Sequence, residues 1–427
     1  MTDAPQITTL PSGVRVVSEH VPSVRSVALG FWIRTGSRDE SPAQAGLSHF
    51  LEHLLFKGTD RFTSLEIDET FDAMGAEVNA GTGKETTSVY ARFLDRHLDR
   101  AFDVVSDMVL RPSYPEIDSE RQVVIEEIAM YEDEPSDKVH DVLGAAIFGD
   151  HPLGRPIIGR AEVVDSVPVP DIAAYHDARY VPGNLVVAAA GNIDHDRLVA
   201  LVGGALDGHP GGASITPPEA APKVSAPQLR FHAKDTEQYH LCLGAPGLAR
   251  GDERRFALRV LDTVLGGSTS SRLFQEVREK RGLAYAVYSY ASQYADSGQV
   301  GLYVGTRPDN VAEAMAVIGT ELRRICDEGV SEGELDRARE NVKGRTTLAM
   351  ESTPARMNRL GTSVLMEVPL LSLDEVLERI DAVTIEDMRT LTAELFDPAR
   401  MSAAGVGASE DAFREALESV NPALLAA

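Results

Sequence analysis

His49, Glu52 and His53 stand inside an apolar run, LSHFLEHLLFKGT at residues 47–59, and their types and spacing could do chemistry together. On a helix, Leu47, Phe50, Leu51 and Leu54 gather on one side, and Ser48, His49, Glu52 and His53 fall on the other. His49 and His53 are one turn apart and can point at the same object. A helix this apolar is buried, and burying a carboxylate with two imidazoles is costly unless they find partners. Two neutral imidazoles at i and i+4 can both bind one zinc ion, at about 2.0–2.1 Å. A carboxylate beside them, but off the metal, can accept a proton from zinc-bound water, whose pKa the ion lowers toward about 7. The alternative is a structural helix whose histidines bond to backbone carbonyls.

Two histidines are not a complete site, because catalytic zinc usually takes three protein ligands and a water. The third must come from another helix packed against the first. The best candidate run is SERQVVIEEIAMYEDE, residues 119–134. Glu120 and Glu127 lie two turns apart and share a face, Val123, Val124, Ile125 and Ile128 pack the helix down, and Glu126 points elsewhere. A solvated acidic face is the structural alternative. The order His-x-x-Glu-His inverts that of the zinc-peptidase helix.

The segments that must position these residues recur along the chain. In the first half TSVYARF is followed by LDRHLDRAFDVVSDMVL and PEIDSERQVVIEEIAMYEDEPS. In the second, GQVGLYVG is followed by RPDNVAEAMAVIGTELRRI and SEGELDRARENVKGRTTLAMESTPAR. Each reads as a strand, an amphipathic helix, a short break and a second long helix. Aligning Tyr90 with Tyr303 also brings Ala101 onto Ala314. Between the copies, Gly203 to Leu229 is rich in Gly, Pro, Ala and Ser and reads as irregular. The expected fold is α+β, with two homologous domains, each an antiparallel sheet packed with helices. The expected boundaries are 1–212 for the first domain, 213–228 for the linker and 229–427 for the second. The second copy has no counterpart of the His49–Glu52–His53 cluster, so the chemistry belongs to the first half.

Bulk properties narrow the function. A chain of 427 residues exceeds one ordinary core. A formal charge of −25 supplies no basic surface for nucleic acid, though it permits an acidic cavity for cationic ligands. Cys242 and Cys326 are the only cysteines, which excludes a disulfide framework and a cysteine-based zinc cluster. The start MTDAPQITTL has no signal-peptide pattern, and Leu185–Ala190 is far too short to span a bilayer. A soluble cytoplasmic protein is expected.

Taken in order, SHFLEHLLFKGT, MGAEVNAGTGKETT and the glutamate helix resemble the pitrilysin/insulinase family of zinc peptidases. The closer likeness is to the mitochondrial processing peptidase and its short bacterial homologues, and it covers nearly the whole chain. The resemblance implies zinc held by His49, His53 and Glu127, with Glu120 supporting the site from behind and Glu52 as the general base. In the second half VREKRGLAYAVYS resembles the family's Arg–Tyr element, which assigns Arg278 and Tyr285 to the substrate carbonyl and the developing oxyanion, with Tyr288 as a rival. TTSVYARF alternates like a strand, and the resemblance implies that this strand is an open edge near the metal to which a substrate peptide adds, while Asn79 and Ala80 match the pattern that contacts substrate backbone. Chains of this length build an enclosing chamber from two subunits, so a homodimer or heterodimer acting on short or unfolded peptides is implied. Arg278 and Tyr285 could then serve the partner's metal. The reading of a different class is a non-catalytic partner subunit, whose family members have typically lost metal residues that this chain retains.

Other motifs carry less. AGTGKET resembles the end of a phosphate-binding loop, but Val78 stands where that loop needs Gly, and Glu85 follows Lys84. GGSTSSRLFQ, from Gly266, reads as a turn opening a helix. His97, His140 and His151 are isolated and read as surface or satisfied core residues.

Overall fold

A computed structural model describes residues 4–115, 117–207, 220–222 and 226–425. Residues 213–219 and 223–225 of the expected linker lie outside the described residues. Of the preceding Gly/Ala-rich stretch, Gly203–Ala205 continues the helix His195–Ala205.

The strands are β1 (Gln6–Thr9), β2 (Arg15–His20), β3 (Ser26–Ile33), β4 (Glu77–Thr82), β5 (Thr87–Leu94), β6 (Leu185–Gly191), β7 (Leu229–Ala233), β8 (Tyr239–Gly247), β9 (Ala284–Gln293), β10 (Gly298–Thr306) and β11 (Ser402–Gly407). They form two sheets, ordered β1-β2-β6-β3-β5-β4 and β7-β11-β8-β10-β9. Leaving β1 aside, the orders match strand for strand. The duplication read from Tyr90 and Tyr303 is therefore a duplication of topology, because those residues sit on the matched strands β5 and β10.

The sheets are not purely antiparallel as expected. β2 runs parallel to β6, and β7 runs parallel to β11. The cause is geometric. β2 and β3 point in opposite directions, so a strand inserted between them must be parallel to one and antiparallel to the other. β6 arrives by a long crossover, as parallel pairing requires.

The chain forms two compact units whose boundaries interleave. One comprises residues 1–128, 156–219 and 348–370, and the other 129–155, 220–347 and 371–427. In the first unit, alternate residues of β3 face opposite sides of the sheet. Val27, Leu29, Phe31 and Ile33 join the core formed with helices α1 (Leu47–Leu54), α2 (Ser64–Met74) and α3 (Leu98–Leu110). Ala28 and Trp32 join a second core with Met357, Leu360 and Leu365 from the helix Thr353–Leu365. That helix is pinned by the buried carboxylate of Glu19, which pairs with Arg356 and, at 3.5 Å, with Arg359. Gly361 lets it approach the sheet: a Cβ there would lie 2.4 Å from the Trp32 ring.

The second unit repeats the plan. Leu241, Leu243 and Ala245 of β8 face the large core, and Cys242 faces a smaller one with Val139, Leu143 and Ile147. These three belong to helix α5 (Pro135–Phe148), which follows α4 (Ile117–Asp133). A cut at the linker would therefore leave each sheet without one covering helix. No helix among the described residues is long and apolar enough to cross a membrane.

Candidate metal centre and active site

The motif helix α1 is only eight residues long, and its N-terminus is fixed by groups outside the helix. The buried Glu40 carboxylate accepts from the Gly46 N–H at 2.8 Å and the Ser48 N–H at 2.7 Å. It thereby satisfies two of the helix's unpaired donors and faces the positive end of the dipole. Gly46 has φ +99°, and a Cβ there would meet the Ile158 carbonyl oxygen at 2.8 Å, so the position demands glycine. The Ser48 hydroxyl, read as part of the polar face, is buried and lies 2.7 Å from the Tyr175 hydroxyl.

α1 and α4 bring the predicted ligands together. His49 Nε2 lies 3.7 Å and His53 Nε2 3.2 Å from Glu127 Oε2. One donor atom from each of the three residues lies within 4.8 Å of the others. Two ligands on a tetrahedral zinc with bonds near 2.05 Å are about 3.3 Å apart, so the donor set fits that ion. The set is two imidazoles and one carboxylate, a combination that zinc accepts.

The environments of the two histidines differ. His53 Nδ1 is 2.8 Å from Glu120 Oε1, so its N–H is directed at a carboxylate and its Nε2 lone pair is free for a metal. His49 Nδ1 is buried and has no hydrogen-bond partner among the described residues. Burial, with a smaller contribution from neighbouring His53, lowers the His49 pKa to about 4, which keeps the ring neutral as a ligand must be.

This carries a stability consequence for the metal-free protein. The folded pKa lies below the ordinary 6.5, so the unfolded chain binds more protons between pH 6.5 and 4. The His49 contribution is complete above pH 6.5 and declines as pH falls toward 4. Denaturant unfolding of the metal-free chain should give about 2 kcal/mol less stability at pH 5 than at pH 7 from this residue. His49→Gln should shrink the pH dependence by that amount. An identical pH dependence in the variant would refute the assignment.

Glu52 lies outside the donor set. Its Oε2 accepts from the Thr82 hydroxyl at 2.6 Å. Burial raises its pKa, opposed mainly by the Thr82 hydrogen bond. Thr82 is the last residue of β4. Neither it nor Glu40 was singled out in the sequence, because each meets its partner across elements rather than by spacing.

The strand expected to be the open edge, TTSVYARF, is β5 and lies inside the sheet, paired with β3 on one side and β4 on the other; the edge strand is β4, which carries Asn79 and Ala80. Asn79 is exposed, and its Oδ1 accepts from the Ala80 N–H at 2.8 Å, capping a donor with the strand's own side chain.

In the second unit Arg278 and Tyr285 are neighbours. The guanidinium carbon sits 4.3 Å from the centroid of the Tyr285 ring and 4.7 Å from that of Phe274. Residues 274–279 form a π-helix, a form often found at functional sites. Tyr285 is 78% exposed because the β9–β10 register shifts there: Thr306 pairs Ala284 and Gly305 pairs Ala286. Tyr285 is the extra residue, turned out of the pleat as bulges do. The rival Tyr288 is engaged instead, 3.1 Å from His140 Nε2 and stacked on Tyr303. His140 thus has partners, as expected of a satisfied histidine.

Known proteins resemble this chain along both of its halves. The profile described as insulinase (peptidase family M16) matches residues 15–161, and that of the peptidase M16 inactive domain matches 166–342. An uncharacterized zinc protease of Streptomyces coelicolor is 45% identical over 91% of this chain and 86% of its own length. Another, of Bacillus subtilis, is 43% identical over 91% of this chain and 95% of its own. A solved protease from Helicobacter pylori shares the fold, with a TM-score of 0.90 at 23% identity over 95% of this chain and 99% of that one. A Pseudomonas fluorescens structure titled as a peptidase M16 inactive domain gives 0.89 at 21% identity, over 95% and 98%. The matches to both halves, together with relatives this similar over nearly the full length, show that the chain belongs to peptidase family M16, the insulinase family.

Proposed function

We propose that the protein is a zinc-dependent endopeptidase that hydrolyses short or unfolded peptides in a chamber formed by a dimer. The observation that carries this reading is the convergence of His49, His53 and Glu127, with the Glu52 carboxylate beside them but outside the donor set. His49, His53 and Glu127 would hold the ion, which when bound supplies a Lewis acid and a water that ionises near neutral pH.

The chain's own residues do the rest. Glu52 takes the proton of the attacking water on its carboxylate, which the Thr82 hydroxyl holds at Oε2. Its raised pKa brings it closer to the working pH of a general base, and the same carboxyl group then delivers the proton to the leaving amine. Glu120 orients His53. The open edge of β4 receives the substrate as an added strand, with Asn79 and Ala80 contacting its backbone. Arg278 and Tyr285 are the proposed donors to the substrate's carbonyl oxygen.

The test is cleavage of a quenched peptide library by the purified chain, read by mass spectrometry. Internal cleavage that a chelator stops and added zinc restores is expected. Zinc bound without any cleavage would overturn the peptidase reading in favour of a non-catalytic subunit.

A further inference from the structure

The motif run ends in Phe56-Lys57-Gly58-Thr59, and the activity proposed above uses none of these residues. Phe56 packs at the margin of the core. Gly58, with φ +134°, turns the chain, and a Cβ there would meet the Phe62 carbonyl oxygen at 3.1 Å. Thr59 donates to the buried Asp107 at 2.6 Å. The turn is thus tied down on both sides of Lys57, whose own N–H bonds to the Leu54 carbonyl at 3.1 Å. Lys57 Nζ reaches Glu120 Oε2 at 2.7 Å.

Glu120 is 4% exposed, so its charge must be answered inside the protein. Its two oxygens have different partners: Oε1 meets His53 Nδ1 at 2.8 Å and Oε2 meets Lys57. Among the described residues it has no others. A carboxylate held by one imidazole alone could rotate about its side-chain torsions. Held at both oxygens, it has a fixed plane and presents one oxygen to the ring. From this geometry we propose that Lys57 is a positioning residue for the metal centre: its ammonium group locks Glu120 so that the carboxylate fixes the orientation of the His53 ring.

The inference rests on the reading of His53 as a metal ligand. The expected effect follows the usual cost of removing a group that orients a ligand, a tenfold to hundredfold loss of metal affinity. The experiment is zinc titration of the full chain against a chromophoric chelator, with circular dichroism as the control for folding. Lys57→Met should weaken zinc binding by about tenfold or more, and Lys57→Arg should recover most of it. Glu120→Gln should weaken binding as well, and adding Lys57→Met to it should cost nothing further, because the two residues act through one contact. Additive losses would mean that Lys57 is merely structural and would overturn the proposal. If Lys57→Met does not fold, Lys57→Gln takes its place in the same cycle. Unchanged affinity in a folded variant overturns the proposal alone, whereas a wild-type chain that binds no zinc overturns the metal reading and this inference with it.

Discussion

Glu52→Gln is expected to reduce peptide hydrolysis by on the order of 10³-fold or more while zinc stays bound. The amide keeps the volume of the side chain, and its oxygen can still accept from Thr82, so the fold around α1 should not change. What it loses is the capacity to take a proton. The ligand atoms belong to His49, His53 and Glu127, so metal content per chain should match wild type. Metal analysis beside turnover separates the two effects. Undiminished turnover in a zinc-loaded variant would remove Glu52 from the mechanism. Lost zinc would place it among the ligands instead.

Gly361→Val should destabilise the fold by about 3 kcal/mol, the upper part of the usual range for overpacking. The new Cβ would stand 2.4 Å from the Trp32 ring, which has little room to retreat because it is buried and also lies close against Gly30. Trp32 is 3% exposed and the only tryptophan in the chain, so its fluorescence reports on this contact directly. Unfolding curves followed by that signal should shift to lower denaturant. A variant as stable as wild type would mean that the helix Thr353–Leu365 does not pack on this sheet in solution.

Much of this molecule is legible in its sequence, for physical reasons. The motif helix announces itself because polar residues at i, i+3 and i+4 interrupt an otherwise apolar run. The pair of acids on α4 is legible because Glu120 and Glu127 share a face with packing residues. Choosing Glu127 over Glu120 as the ligand, however, required the family resemblance, and spacing alone left both open. The duplication is visible in the repeated order of strand and helices. Other features leave no local trace. The parallel pairs depend on where β6 and β11 insert, which periodicity does not report. The contacts of Glu40, Thr82 and Lys57 join residues on different elements, so no spacing announces them. The same holds for the helices α5 and Thr353–Leu365. Each has an apolar face, but nothing in that face says which sheet it covers.

The placement of Thr353–Leu365 in the first unit bears on synthesis. Domains generally fold as they leave the ribosome, N-terminal first. Here the sheet that carries β3 has one face bare, Trp32 included, until the chain has been translated beyond Leu370. Both ligand helices emerge long before that point. The nascent first unit must therefore wait, with an apolar surface uncovered, for a segment encoded near the end of the message. A ribosome stalled before residue 353 would present that surface to chaperones, and a premature stop there would yield a chain holding every metal ligand but no finished core.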